Sequence, residues 1–329
     1  MIKLGNTELK YGLALAPMAG YTDRAMRLSA YMMGAEYTVT EMVSAKAVVF
    51  GDKKTFNLAR IREDEGSVGL QIFGSEPDIM AEGAGILYDA AEKHGGVKPV
   101  AIDINMGCPV NKIFSNGEGS ALMKNPELIY KIVYSVSRAV NIPVSVKIRA
   151  GVDSSSINAV ECAQAAESAG AKLVAVHGRT RAQLYGGMAD REIIAEVKRN
   201  LRVPVIANGD IVDGESALSM LKDTGADGIM IGRGAVGNPF IFREIIAALS
   251  SGKYTPPTLE EKVEAALFEL RTAVSDKGEA FAIPEARKKI ALYFKGFRGS
   301  AHLRAGINAA TTYSEAEGII RRLLSEENE

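Results

Sequence analysis

The chain has 329 residues, 39 basic and 40 acidic side chains, a formal net charge of −1 and 47% hydrophobic residues. That apolar content is enough for a large core and excludes a disordered chain, and the near-neutral charge excludes an indiscriminate polyanion binder. Two cysteines make neither a disulfide framework nor a metal-ligand quartet, the first residues lack a signal-peptide layout and no apolar run approaches bilayer length, so a cytoplasmic, metal-free monomer with no membrane partner is expected.

In chain order, short apolar or β-branched runs fall at 13–18, 37–42, 68–74, 100–107, 143–151, 172–180, 204–210 and 228–234. Each gap is long enough for a crossover helix. Pro126–Val140 and Ser156–Gly170 have apolar residues at helical spacing, the second ending on a glycine cap. Eight near-continuous apolar strands, each followed by a helix, predict a parallel sheet buried on both faces. The count favours a closed (β/α)8 TIM barrel over residues 1–252. A doubly wound sheet would need a GxGxxG after an early strand, and none is present.

Gly252-Lys253-Tyr254-Thr255-Pro256-Pro257 breaks the pattern and reads as a linker. No strand signal follows it. An all-helical C-terminal domain over 258–329 is expected, with helices near 258–276, 284–296, 299–307 and 313–326. Its segment 285–304 holds six bases and one acid between acidic flanks, with Tyr293, Phe294 and Phe297 interleaved. A basic helix face with aromatics is a nucleic-acid signature; the plainer reading is a solvated face over a core that buries the aromatics.

Barrel enzymes place their chemistry at the C-terminal ends of strands. The runs end on Met18 with Asp23 beyond it, Glu41, Gln71, Asn105 with Cys108, Lys147 with Arg149, His177 with Arg179, Asn208 with Asp210, and Gly232 with Arg233. So many polar ends on one rim point to a binding site. Asn208-Gly209-Asp210 and Gly232-Arg233-Gly234 follow strands seven and eight, where barrels bind phosphate. Glycines let backbone N–H groups approach an anion, and Arg233 adds a donor fork. With Lys147, His177 and Gln71 on the same rim, a flavin mononucleotide suits the pocket, although a sugar phosphate wants similar groups. Cys162 lies mid-helix and reads as core; His94, before two glycines, reads as a helix-end residue, and His302 as a surface one.

APMAGYTD (16–23), DINMGCPVNK (103–112), Gly117-Glu118-Gly119-Ser120-Ala121-Leu122-Met123, KIRAG (147–151), VHGRTR (176–181), ANGDI (207–211) and IGRGAVGNP (231–239) resemble the tRNA-dihydrouridine synthase family, in order across residues 12–245. The tail is similar to its bacterial B-type subgroup. The resemblance implies an FMN barrel that reduces the C5=C6 bond of specific tRNA uridines, with NADPH as electron source. By motif, the flavin contacts would be Ala16, Pro17, Met18, Gln71, Lys147, His177, Asn208, Gly209, Asp210, Gly232 and Arg233. A hydride would pass from reduced flavin to C6, and the match makes Cys108 the proton donor. Such an acid must keep its proton, so a strongly depressed thiol pKa is not expected. Asn105, whose amide could bind the uracil edge, Arg149 and Arg179 are candidates for substrate binding. The resemblance assigns the tail to tRNA docking, through Arg287, Lys288, Lys289, Lys295, Arg298 and Arg304, mainly on phosphates. The alternatives are an FMN-dependent dihydropyrimidine or dihydroorotate oxidoreductase acting on small molecules, and an RNA-binding factor with vestigial chemistry. The basic tail and the NMGCP motif weigh against the first, and the intact motifs against the second.

Overall fold

The apolar runs form eight short parallel strands: β1 (Leu13–Leu15), β2 (Tyr37–Val39), β3 (Val68–Phe73), β4 (Ala101–Met106), β5 (Val144–Arg149), β6 (Leu173–His177), β7 (Val205–Asn208) and β8 (Gly228–Ile231). The computed structural model describes residues 1–93, 95–297 and 299–326; His94 and Arg298 lie outside the described residues. Every strand pairs in parallel with its sequence neighbours, and β8 pairs with β1, so the sheet closes into the expected barrel. A two-residue strand, Val43–Ser44, extends the line of β2 along the upper end of β3.

Helices sheathe the barrel because their apolar faces need cover. In Pro126–Ala139 the buried residues are Ile129, Ile132, Val133 and Val136, one helical stripe. Each such side chain contributes about 1.5–3 kcal/mol on burial. Asn125 caps this helix by accepting from the Leu128 N–H (3.0 Å), with Pro126 at the first position. The next helix is shorter than its sequence pattern, Ala159–Ser168, and Gly170 at φ +110° turns the chain beyond it.

The sequence reading did not anticipate the antiparallel hairpin Ile2–Leu4 with Thr7–Leu9. Its Ile2, Leu4 and Leu9 join Ala14, Ala101, Leu173, Ile206 and Met230 in the barrel interior. The hairpin therefore plugs one end of the barrel, and the site can only be at the other.

The tail comprises helices Leu259–Lys277, Glu279–Tyr293, Ser300–Ala309 and Tyr313–Glu326. Thr258 and Glu261 form a reciprocal capping box (2.9 and 3.2 Å) at the first. The second helix starts five residues earlier than expected. Pro284 lies inside it rather than at its head, and Gly278 at φ +75° makes the reversal between the two helices. The tail has its own apolar cluster, including Leu267, Ile283, Ile290, Phe294, Leu303 and Ile320, to which Phe240 from the barrel side adds. Among the described residues no helix is long and apolar enough to cross a membrane.

The tail is held to the barrel by a buried ion cluster beside the mouth. Asp23 caps the first barrel helix through the Met26 N–H (3.1 Å) and receives Lys289 (3.2 Å) and Lys277 (2.7 Å). Lys289 also pairs with Glu269 (3.0 Å), which accepts from the Tyr293 hydroxyl (2.6 Å). Burial raises the Asp23 carboxyl, but Lys289 and Lys277 outweigh it and the net shift is down. Burial likewise pulls Lys289 down, but Glu269 and Asp23 carry it above its ordinary value. The loop after β8 fits the same tail helix so closely that a Cβ on Gly237 would lie 2.6 Å from Leu292 Cβ.

Candidate active site

Strand register decides which polar residues meet. Gln71, Asp103 and Ser145 are Cα partners across β3, β4 and β5; Asn105 partners Lys147; His177 partners both Arg149 and Asn208. These are polar positions in otherwise apolar strands, and Gln71, Asp103, Asn105, Ser145, His177 and Asn208 are all buried. Buried polar groups of this kind persist only when paired.

The pairing is continuous. Gln71 Nε2 donates to Asp103 Oδ2 (2.7 Å), and Asn105 Nδ2 donates to Gln71 Oε1 (2.9 Å). Asn105 Oδ1 accepts from the backbone N–H groups of Gly107 (3.1 Å) and Cys108 (2.9 Å). Both Asn105 lone pairs are thus used, and one side-chain N–H remains for a ligand. The Cys108 carbonyl accepts from the Ser120 hydroxyl (2.7 Å), and Gly119 at φ +60° lies where a Cβ would come within 3.0 Å of Cys108 Cβ. Cys108 is half-buried and free. Burial pushes its thiol pKa up, against smaller opposing effects of the Val110 backbone and Arg149. The thiol therefore stays protonated at neutral pH, as the sequence reading required.

Lys147 is half-buried, donates to Asn208 Oδ1 (3.0 Å), and has no carboxylate within ion-pair distance among the described residues. Burial, reinforced by Arg149, brings its ammonium down to about 8. Burial and then the cations Lys147, Arg149, Arg179 and Arg233 bring His177 down to about 2, so it is a neutral imidazole. Its Nε2 lies 3.4 Å from Arg179 Nη1. A guanidinium only donates, so this nitrogen accepts and the ring proton is on Nδ1.

Two arginines expected to bind substrate act as struts. Arg149 donates to the carbonyls of Gly107 (2.8 Å), Thr180 (2.9 Å) and Leu184 (3.0 Å), tying the loop after β4 to the loop after β6. Arg179 donates to Gly186 (3.0 Å) and Gly187 (2.6 Å) and pairs with Asp210 (2.7 Å). Both are buried and spend these donors on the loops around the mouth. Asp210, at φ +52°, also pairs with Arg233 (3.5 Å), so its carboxylate positions arginines. Gly209 serves packing more than an open anion cradle, since a Cβ there would lie 2.5 Å from Ala189 Cβ. Ala16, Met18 and Gly232 converge at β1 and β8: a Cβ on Gly232 would lie 3.6 Å from Met18 Sδ and 3.8 Å from Ala16 Cβ. Pro17, between them, is half-buried. Tyr185, missed from the sequence, lies beneath Arg233 (5.0 Å) and Arg149 (5.9 Å) with 55% of its surface exposed.

In the tail, Lys288, Lys295 and Arg304 are exposed. Lys288 Nζ stands 4.5 Å over the Tyr21 ring on the loop after β1. Arg287 is half-buried and donates to the Ala310 carbonyl (3.0 Å). Lys289 is 4% exposed, so it is a buried ion partner and not the phosphate contact expected. Tyr293 and Phe294 are core residues, which removes two of the three aromatics from the basic face.

The profile of the dihydrouridine synthase (Dus) family matches residues 14–328. The chain belongs to the dihydrouridine synthase family. It is 41% identical to a protein of Treponema pallidum named "Probable tRNA-dihydrouridine synthase", across 97% of this chain and 95% of that one. It is 38% identical to tRNA-dihydrouridine synthase B of Pseudomonas putida, across 99% and 95%, and 39% identical to tRNA-dihydrouridine synthase B of Pseudomonas aeruginosa, across 94% and 91%. The match runs through barrel and tail alike, so the family's residues carry both parts of the fold described above.

Proposed function

We propose that this chain is a flavin-dependent oxidoreductase that converts specific tRNA uridines to dihydrouridine, with FMN at the barrel mouth and NADPH as electron donor. Residues 1–252 would carry the cofactor and residues 258–329 would dock the tRNA. The observation that carries this reading is the joint presence on one rim of Lys147, an ammonium without a carboxylate, and Cys108, a half-buried protonated thiol. The first calls for an electron-rich partner; the second holds a proton for delivery.

The donor set fits FMN. Lys147, the Nδ1–H of neutral His177 and the spare N–H of Gln71 suit the carbonyl and nitrogen edge of the ring. Arg233, 56% exposed, with the N–H groups of the short turn after Gly232, suits the phosphate. Asn208 orients Lys147, and Ala16, Pro17, Met18 and Gly209 shape the wall. The Asp210 carboxylate would repel a phosphate and contributes by holding Arg179 and Arg233. When bound, reduced FMN supplies the two-electron reduction of the C5=C6 bond. Cys108 would then give its thiol proton to C5, and Lys147, whose ammonium has donors beyond the one on Asn208, would stabilise negative charge on the uracil carbonyl. Asn105 offers its one free N–H to the same ring. Extracting a loop uridine from its stack costs only a few kcal/mol, which suits a deep mouth beside a separate docking surface.

The test uses the purified protein. It should be yellow, bleach with NADPH and recover colour with unmodified tRNA while dihydrouridine appears. A colourless protein that binds no added FMN, or turnover of free dihydropyrimidines without tRNA reduction, would overturn the reading.

A further inference from the structure

Asp103 has no role in the chemistry above, yet it is 3% exposed and is the end of the hydrogen-bond chain that reaches Cys108. A side-chain amide can sit in two orientations that differ only in which end donates. Both ends of the chain agree: the backbone N–H groups of Gly107 and Cys108 can only donate, and Asp103, although burial raises its pKa, presents an acceptor oxygen to Gln71. The Asp103 carboxylate accepts on both oxygens, from Gln71 Nε2 (2.7 Å) and from the Ser145 hydroxyl (2.6 Å). This forces the Gln71 oxygen toward Asn105. That in turn forces the Asn105 NH2 toward Gln71 and its oxygen toward the N–H groups of Gly107 and Cys108. Turning either amide over would set donor against donor at one contact and acceptor against acceptor at another, each a buried group left unpaired.

We infer that Asp103 is a positioning residue: as the acceptor that completes Gln71, it locks the Gln71 and Asn105 amides in the polarity that the loop N–H groups require and thereby holds the Cys108 loop where the thiol meets the substrate. The inference rests on the proposed reaction for the thiol's purpose, but the relay itself is a property of this chain's own residues. The two cysteines supply the readout, because Cys162 is fully buried, bonds the Met123 carbonyl rather than any member of the relay, and reports general loosening.

The test alkylates the flavin-containing protein with iodoacetamide and follows each thiol separately by mass spectrometry. Asp103→Ala should raise the Cys108 rate by roughly tenfold, the order expected when buried donors lose their acceptor, with the Cys162 rate unchanged. Asp103→Asn keeps an acceptor for Gln71 and should stay within about twofold of the parent, since Ser145 can accept as well as donate. Asn105→Ala should match Asp103→Ala, and the double variant should be no faster than Asn105→Ala alone, as expected for residues acting in series. An unchanged Cys108 rate in Asp103→Ala, a parallel rise of Cys162, an Asp103→Asn rate equal to that of Asp103→Ala, or additive effects would each overturn the relay. Absence of dihydrouridine formation by the parent protein would instead overturn the proposed reaction and leave the alkylation result standing.

Discussion

In the proposed reaction a thiol delivers a proton and an ammonium attracts an electron-rich group; the two lie on neighbouring elements of one rim, where desolvation shifts their pKa values in opposite directions. Cys108 is desolvated without a strong cationic partner, so its proton is retained. Cys108→Ala should keep its FMN and its reduction by NADPH while dihydrouridine formation falls by about two to four orders of magnitude, the usual range for a positioned acid. Mapping the modification in tRNA treated with each protein checks this, and near-normal product from the variant removes Cys108 from the chemistry. Lys147 behaves in the other sense. Desolvation brings its ammonium to about 8, so the free protein loses this charge as pH rises through that value. An anionic ligand favours the charged form. The affinity of flavin-free protein for FMN should therefore hold steady below pH 8 and decline above it, measured by quenching of flavin fluorescence. Lys147→Met should be weaker throughout and lose the alkaline decline, and a profile shared by both proteins would mean the titrating group is elsewhere.

At the scale of elements, the tail is positioned by charge as well as by apolar packing. Lys289 joins Asp23 on the barrel to Glu269 on the first tail helix. Removing one member of a buried ion cluster leaves its partners uncompensated and costs about 3–5 kcal/mol. Lys289→Met should lose that much unfolding free energy in urea, and a loss below about 1 kcal/mol would mean that apolar contacts and the remaining Lys277–Asp23 and Arg24–Asp276 pairs suffice to position the tail. The pH window follows from the shifts. Asp23 lies below its ordinary value, so its contribution is complete above about pH 4 and lost as pH falls through its folded-state pKa. Lys289 lies above its ordinary value, so its contribution is complete below about pH 10 and lost only as pH rises through a folded-state pKa higher still. What the sequence reading recovered and missed divides along the same line. Strands and helices were readable because their signals are local: apolar runs, Asn125-Pro126, Thr258 with Glu261. The helix that holds Pro284 begins earlier than expected, at Glu279, because Ala282 and Ile283 ahead of the proline are buried in the tail. The Gly5-Asn6 pair between IKL and TEL was the signal for the hairpin. The strand-end residues were legible as a set, but Arg149 and Arg179 as struts were not, because their acceptors are loop carbonyls that pattern does not show. Lys289 was misread because Asp23 lies 266 residues away in the chain.

At the scale of the whole molecule, a net charge of −1 is compatible with binding a polyanion only if the surface is asymmetric. Two of the six bases in 285–304 are already engaged: Lys289 is neutralised internally and Arg287 is tied to the Ala310 carbonyl. The exposed remainder includes Lys288, Lys295 and Arg304, and Lys288 stands over Tyr21 beside the barrel mouth. A nucleic acid held by such residues would run past the mouth, where one extruded base could reach the Cys108 rim. Phosphate contacts position without reading sequence, so Lys288→Glu combined with Lys295→Glu should weaken tRNA binding for modified and unmodified tRNA alike. Each lost contact should make the dependence of log affinity on log salt shallower by about one. FMN content and urea stability should not change, which separates these residues from Lys289, whose loss acts on folding. Filter binding across a salt series decides it: an unaltered slope and affinity would move the docking surface off this helix, whereas a shallower slope with intact flavin reduction ties tRNA capture to the exposed face and leaves the chemistry to the barrel.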